Sequence, residues 1–283
     1  MNGGAETSMI EATTGEIGAY APSFADAQLQ IVLASVTEGN TAARLWALSR
    51  PDKKLLVLLW DKGNNVFYLF GAPPGDEILR DLRELINSEI REKAIAEGMA
   101  HFGVRTLSPS LTEVAPRIFH KETLHQRTHL FYGFPRAHPK EESIPTVEGV
   151  TFIPIDDALL ERDDLANLQR VRGEIRWMWP SEERFCERGF GYAAVVTGSL
   201  ICWCTAEYVS RRACGVGIET ARGYRNRGVG TATAARFVQE ALRRGITPHW
   251  ECDAKNGASV RVAEKVGFEK LEEAVLWRGT FGA

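Results

Sequence analysis

The stretch "ETARGYRNRGVGTATAARFVQEALRRG", Glu219 to Gly245, decides how this chain is read. It continues an apolar, strand-like approach through Ile218 and crowds Arg222, Arg225 and Arg227 beside Gly228 and Gly230. It then runs directly into a helical pattern, in which Ala234, Val238, Ala241 and Leu242 recur as an anchor to a core. A helix start presents N–H groups without intrahelical acceptors and about half a positive charge, so anions, phosphates above all, bind there. Glycine lets such a ligand touch backbone, and arginine adds charge-assisted donors. The loop therefore reads as a diphosphate cradle on a strand–loop–helix unit. The competing reading is an arginine-rich surface turn that solvates a helix start. Arg222 has no assigned task and is expected at the surface.

Two nucleotide-binding patterns can be weighed against this loop. "GVGTAT" contains Gly-x-Gly and Asp253 ends the next strand, as in a dinucleotide fold. That fold places its first glycine directly after the strand, whereas here "RGYRNR" intervenes and only 30 residues follow Asp253. A P-loop requires Gly-Lys-Ser/Thr, which the loop lacks.

The whole chain has 283 residues, enough for two domains of roughly 140 residues each. Its net charge of -3 offers no broad basic face for nucleic acid. The apolar run "LLVLLW", Leu55 to Trp60, is too short to span a membrane, and the polar opening lacks the basic-then-apolar pattern of a signal peptide. The five cysteines, Cys186, Cys202, Cys204, Cys214 and Cys252, form no CxxC pair. Cys202 and Cys204, alternating on one face of a strand, read as small buried hydrophobes, and the set fits a reducing cytoplasm with no zinc site. His120, His125 and His129 show no metal-ligand arrangement and read as surface or domain-contact residues.

Composition divides the chain into a polar lead-in (1–20), a first domain (21–135), a proline-bearing charged linker (136–148) and a second domain (149–283). The first domain reads as strands at "RLWALS", "KKLLVLLWD" and "VFYLFGA", then a long amphipathic helix with Asp76 as N-cap and Ile78, Leu79, Leu82, Leu85 and Ile86 on one face. A strand, a short helix and a last strand, "THLFYGF", follow. The second domain reads as a strand, helices in pieces, strands at "GYAAVVTG", "SLICWCTAEYVS" and "ACGVGIETA", the loop and its helix, the strand "TPHWECD", the helix "NGASVRVAEKVGF" and a final strand. Each half thus shares the order strand, strand, strand, helix, strand, helix, strand. The fold class is α+β, with two copies of one architecture and the loop chemistry only in the second.

Arg225-Asn226-Arg227-Gly228-Val229-Gly230 resembles the Arg/Gln-x-x-Gly-x-Gly/Ala signature of the GNAT acyltransferase superfamily. "NGASVRVAEKVGFEK" resembles the superfamily's Asn-x-x-Ser/Ala helix ending in Lys-x-Gly-Phe, through Asn256, Ser259, Lys265, Gly267 and Phe268. The resemblance covers about Gly149 to Trp277 and, more narrowly, is to the branch that includes zwittermicin A resistance acetyltransferases. It implies a C-terminal GNAT fold, a mixed and splayed central sheet flanked by helices; by element order alone the first half resembles a degenerate GNAT-like domain, expected to shape or cover the acceptor cleft. It implies acetyl-CoA as cosubstrate, with the pantetheine arm at the backbone of Ile218, Glu219 and Thr220. The diphosphate is then expected on the N–H groups of Arg225, Asn226, Arg227, Gly228, Val229, Gly230 and Thr231, with Asn256 and Ser259 facing the arm. The acceptor it implies is a primary amine of a small molecule, an antibiotic being one option, with the protein a monomer or a homodimer.

Direct transfer needs a neutral amine. Deprotonating a lysine-like amine at pH 7 costs about 4.6 kcal/mol, while alignment of amine and thioester supplies about 7–11 kcal/mol. Candidate bases are Glu219, at the end of an apolar strand, and Glu251, which shares one strand face with His249 and Asp253. Glu207 with Tyr208 is a further candidate for holding the amine, against a plain hairpin end. The resemblance departs at Ala263, where many members carry the tyrosine that protonates the leaving thiolate. Either Tyr208, Tyr224 or water serves instead, or no acid is needed. This departure keeps open a non-catalytic acyl-CoA sensor or scaffold. The aromatic box Arg176–Trp179 reads as core packing or as the wall of an acceptor pocket.

Overall fold

A computed structural model describes residues 9–13, 16, 26–49, 55–120, 122–135 and 144–282. In chain order its elements begin with β1 (Ile10–Ala12), α1 (Ala27–Thr37), β2 (Ala43–Ser49), β3 (Leu55–Asp61) and β4 (Val66–Gly71). Next come α2 (Asp76–Glu84), a π-helical turn (Leu85–Ile90), α3 (Arg91–Ala96), β5 (His101–Thr106), α4 (Pro109–Ile118) and β6 (His125–Gly133). The remainder is β7 (Thr151–Pro154), α5 (Asp157–Leu160), α6 (Leu168–Met178), α7 (Glu182–Arg188), β8 (Gly191–Val196), β9 (Ser199–Glu207), β10 (Ala213–Thr220), α8 (Val229–Arg243), β11 (Thr247–Asp253), α9 (Gly257–Val266) and β12 (Glu269–Thr280). The repeated order read from the sequence is present: β2-β3-β4, helix, β5, α4, β6, and again β8-β9-β10, α8, β11, α9, β12.

The chain forms two compact units that interleave along its length. One holds 1–30, 42–127 and 275–283, and the other 31–41 and 128–274. Neither is a continuous half of the chain. Of the expected linker 136–148, residues 136–143 lie outside the described set.

In the first unit the strand order is β1-β2-β3-β4-β5 followed by the end of β12. The expected polar lead-in contains β1, because Ile10–Ala12 pairs antiparallel with Leu45–Ala47. α1, missed in the sequence because an apolar run without clear periodicity carries no helix signal, is capped by Asp26, whose Oδ1 accepts Leu29 N–H at 2.7 Å. Asp76 is not the N-cap of its helix: Gly75 holds that position with no side-chain cap, and Asp76 pairs with Arg117. Ile78, Leu79, Leu82 and Ile86 are buried against a core that includes Phe67, Phe102, Phe119 and Phe281, with Leu85 only partly covered.

In the second unit the order is the start of β12, then β6-β11-β10-β9-β8-β7. β8 and β9 form a hairpin whose two loop residues, Thr197 and Gly198, both have positive φ (43° and 71°), the geometry of a type I′ turn. α8 buries Ala234, Val238 and Ala241 as expected, but Leu242 is exposed. The outer edge of β11 is covered by β6, with His129–Gly133 antiparallel to His249–Asp253. β10 and β11 run parallel only from Ala213↔Thr247 to Gly215↔His249, and beyond that register they part. The parallel pair in the first unit, β4 and β5, stays joined from Val66↔Gly103 to Leu69↔Thr106.

Candidate functional site

Where β10 and β11 part, the second unit opens a cleft of about 550 Å³. Its lining gathers Ile218, Glu219, Thr220, Arg225, Asn226, Gly228, Gly230 and Thr231 with Asn256 and Ser259 from the start of α9. Arg261, Lys265 and Tyr224 add to it on the loop and helix side, with Ala258 and Val262. Of the sequence-predicted binding residues, Arg227 and Val229 are outside this lining. Arg227 lies over the Tyr224 ring at 5.6 Å, and Val229 is buried in the small core around Cys202 and Ile201. Arg222 sits in a 3-10 turn and is exposed.

The loop's backbone explains its residue types. Asn226 (φ 60°) and Gly228 (φ 78°) are left-handed, and Gly228 precedes α8 with no side-chain cap. The first intrahelical bond runs from Ala232 N–H to the Gly228 carbonyl, so the earlier N–H groups of Val229, Gly230 and Thr231 have no acceptor inside the helix. At Gly230 an added Cβ would lie 3.3 Å from Thr220 Oγ1, tight against the strand end. Arg225 donates its Nε back to the Thr220 carbonyl at 3.1 Å, tying the loop to β10. Three cationic side chains, Arg225, Arg261 and Lys265, therefore share a cleft with an uncapped helix start, a donor set matched to a polyanion.

Asn256 and Ser259 already have structural work. Asn256 Oδ1 caps α9 by accepting Ser259 N–H at 3.2 Å, and Ser259 Oγ accepts the Trp250 indole N–H at 3.0 Å. Ala263 is fully buried on the same helix.

The registers also define the sheet face turned away from α8. Trp203 stands opposite Glu219, Thr205 opposite Gly217, Glu207 opposite Gly215, and Gly215 opposite His249. Alternation then places Glu251 and Asp253 on that face with His249. Glu219 is ion-paired with Arg170 of α6. Glu251 is paired in turn: its Oε1 lies 2.9 Å from His129 Nδ1. His129 is thus a buried partner on β6 and not a surface residue. His249 is half-buried, and that burial holds its imidazole below the ordinary value. The aromatic box divides: Trp179 and Met178 are core, with Trp179 Nε1 on the Ala206 carbonyl, while Trp177 is exposed.

Sequence reasoning missed Glu174. This α6 carboxylate accepts Trp203 Nε1–H at 2.7 Å through Oε2 and Thr205 Oγ1–H at 2.6 Å through Oε1. Burial pushes its carboxyl above the usual range, against the lowering by the Thr205 and Trp203 hydrogen bonds. The signal available was an acid flanking the buried stripe Leu168, Val171, Ile175 and Met178. Cys202 and Cys204 are buried free thiols, as expected; Cys214 and Cys252 are buried as well, and Cys186 is half-buried. Among the described residues no helix is long and apolar enough to cross a membrane, and no three His, Cys, Asp or Glu side chains are grouped to hold a metal ion.

The sequence profile of the family described as GNAT acetyltransferase matches residues 21–276. A Bacillus subtilis (strain 168) protein described as the uncharacterized N-acetyltransferase YdfB is 24% identical over 203 residues, 72% of this chain and 75% of that protein. Three solved structures share the fold. A GCN5-related N-acetyltransferase-like protein from Streptococcus suis has TM-score 0.63 at 17% identity, covering 95% of this chain and 100% of that one. A Drosophila protein has TM-score 0.64 at 13% identity, with 96% and 98% covered. A tandem GNAT protein from the clavulanic acid biosynthesis pathway has TM-score 0.57 at 13% identity, with 97% and 98% covered.

Proposed function

The chain belongs to the GNAT acetyltransferase family, and from that premise we propose that it transfers an acetyl group from acetyl-CoA to a primary amine of a small molecule. The observation that carries this reading is the cleft at the parting of β10 and β11, which collects the uncapped start of α8, three cationic side chains and the α9 cap in one place. The residues present fit a CoA polyanion. The N–H groups of Val229, Gly230 and Thr231 with Arg225 hold the diphosphate, aided by Asn226, Arg227 and Gly228 of the loop. The strand edge at Ile218, Glu219 and Thr220 borders the pantetheine arm, with Asn256 and Ser259 across from it. When bound, acetyl-CoA supplies the thioester carbonyl that an amine attacks.

The first unit is proposed as a degenerate copy. Its β4 and β5 remain paired where β10 and β11 separate, and its helix α2 follows the N-cap Gly75 without the arginine–glycine loop. An antibiotic-type amine as acceptor, as in the zwittermicin A resistance branch, is the narrower form of the proposal. A reducing cytoplasm suits its five free thiols.

The test is calorimetric titration with CoA, followed by thiol release from acetyl-CoA across a panel of primary amines. Binding with thiol release on at least one amine is expected. Ala263, buried where many relatives carry a tyrosine acid, favours a second reading as an acyl-CoA sensor. Stabilisation by CoA with no thiol release on any amine would establish that one instead. Stabilisation by NAD(P) and not by CoA would overturn both.

A further inference from the structure

We propose that Glu174 of α6, and neither Glu219 nor Glu251, is the carboxylate that takes the proton from the attacking amine. The inference rests on the acetyltransferase reading above and assigns a role within that site.

Gly217 lies in β10 just beyond Gly215, the last residue paired with β11, and one residue before Ile218 of the cleft wall. A Cβ built on Gly217 would lie 3.1 Å from Glu174 Oε1 and 3.0 Å from Thr205 Oγ1, and would collide with Glu207 Oε1. Glycine here lets the Glu174 carboxylate sit directly over the strand backbone at the point where the two strands separate. A side chain at 217 would crowd it, and would displace Glu207 outright.

The three carboxylates differ in their partners. Glu219 is engaged by the Arg170 guanidinium in an ion pair, which turns its carboxylate toward α6. Glu251 is committed to His129 at 2.9 Å. Glu174 is held by two neutral donors, an indole N–H and a hydroxyl, which fix its orientation and leave lone pairs on both oxygens. Other titratable or charged groups around it are Glu207 on β9, Glu219 on β10 and Arg170 one turn earlier on its own helix. The buried Cys202 and Cys204 thiols lie on the opposite face of β9. Burial and Glu219 raise its proton affinity, in the direction a base working near neutral pH requires.

The step balances. The ammonium loses one proton to the Glu174 carboxylate, and the amine nitrogen forms the C–N bond as the thioester C–S bond breaks. The second nitrogen proton ends on the departing sulfur. Glu174 then returns its proton to solvent.

The experiment compares Glu174→Gln, Glu219→Gln, Glu251→Gln and Thr205→Val. Glutamine at 174 keeps an acceptor for Trp203 and can donate to the Thr205 hydroxyl, and retained thermal stabilisation by CoA checks that the site is intact. The expected result is a loss of about 10²–10⁴-fold in kcat/KM near pH 7 for Glu174→Gln, shrinking as pH rises. Glu219→Gln and Glu251→Gln should both keep the acid limb of the pH profile, whatever their effect on CoA binding. Thr205→Val removes a hydrogen bond to the ionised carboxylate and should move that limb to higher pH. A Glu174→Gln enzyme with the wild-type acid limb overturns the assignment. Infrared difference spectra of the CoA-bound protein between about pH 5 and about pH 8 give a readout without turnover. A protonated-carboxyl band that disappears in Glu174→Gln supports the assignment, and one unchanged by that substitution overturns it. Absence of thiol release by wild type on any amine would fail the acetyltransferase reading itself, separately from this infrared outcome.

Discussion

Arg170 on α6 pairs with the Glu219 carboxylate at the end of β10 while its guanidinium lies over the Trp203 ring, 5.2 Å from the centroid. The arginine ties a helix to the strand that borders the cleft, and it compensates an acid that an isolated reading of the strand makes into a base. Both side chains are partly exposed, 50% and 35%, so the pair contributes about 1 kcal/mol or less to stability. Arg170→Ala and Glu219→Gln should each leave the urea midpoint nearly unchanged and lower kcat/KM by less than about tenfold. A larger fall in Glu219→Gln, together with loss of the acid limb of the pH profile, would return the proton-accepting role to Glu219.

Glu174 makes a second prediction that needs no substrate. A carboxyl held above its unfolded value carries a proton in the folded state when the unfolded chain has already released it. Stability therefore falls as pH rises from the unfolded value, about 4.3, through the raised folded value, and then levels off. Glu174→Gln removes this penalty. Urea denaturation of the variant relative to wild type should show a stability difference that shifts in the variant's favour between about pH 4 and about pH 8. A difference that stays flat across that range would mean that the carboxyl is not tuned by its surroundings.

Sequence legibility follows the range of the interactions. The cradle is readable because its chemistry is local: Asn226 and Gly228 need left-handed backbone, Gly230 needs a bare Cα, and all three lie within five residues of one helix start. The strand–helix order is readable for the same reason, since alternation and helical spacing are short-range patterns. Glu174 is not, because what distinguishes it from any acid flanking a buried helix stripe is a pair of donors 29 and 31 residues away. The His129–Glu251 contact spans 122 residues, and no spacing rule reaches that far. The interleaving of the units is hidden for a related reason. β6 and β12 each read as the last strand of their own half, and only the pairing partners show where they belong.

The cradle itself is tested by separating strain from occlusion. Gly228 has φ 78° with open space where a Cβ would lie, so Gly228→Ala meets backbone strain of about 1–2 kcal/mol and little steric conflict. Gly228→Asn tolerates the left-handed conformation better and should lose less stability. Gly230 has ordinary helical surroundings but faces Thr220 Oγ1 at 3.3 Å and the cleft. Gly230→Val should therefore weaken CoA binding by more than about 100-fold, about 2.7 kcal/mol, with a smaller change in thermal midpoint than Gly228→Ala. Calorimetric CoA titration beside thermal melts of the same samples checks both halves. Undiminished CoA affinity in Gly230→Val would remove the first turn of α8 from the binding site.

The pairing of β6 with β11 sets a limit on where the chain can be cut. Five residue pairs, from His249↔Gly133 to Asp253↔His129, cover an edge of β11 that would otherwise present unpaired N–H and C=O groups. Residues 31–41 add further contacts in the same unit: Asn40 Nδ2 donates to the Val209 carbonyl at 2.8 Å, and Glu38 accepts the Arg211 N–H at 3.1 Å. A fragment comprising 149–283 has the whole cleft lining but neither of these segments. It should be expressed largely as aggregate, or as a species with no cooperative thermal transition, and should bind CoA at least about tenfold more weakly than the full chain, about 1.4 kcal/mol. Adding 128–135 as a separate peptide restores the strand that pairs with β11 and should recover part of the binding. Size-exclusion chromatography with CoA titration reads the outcome, and a monomeric 149–283 fragment with full-chain affinity would show that the β11 edge needs no cover.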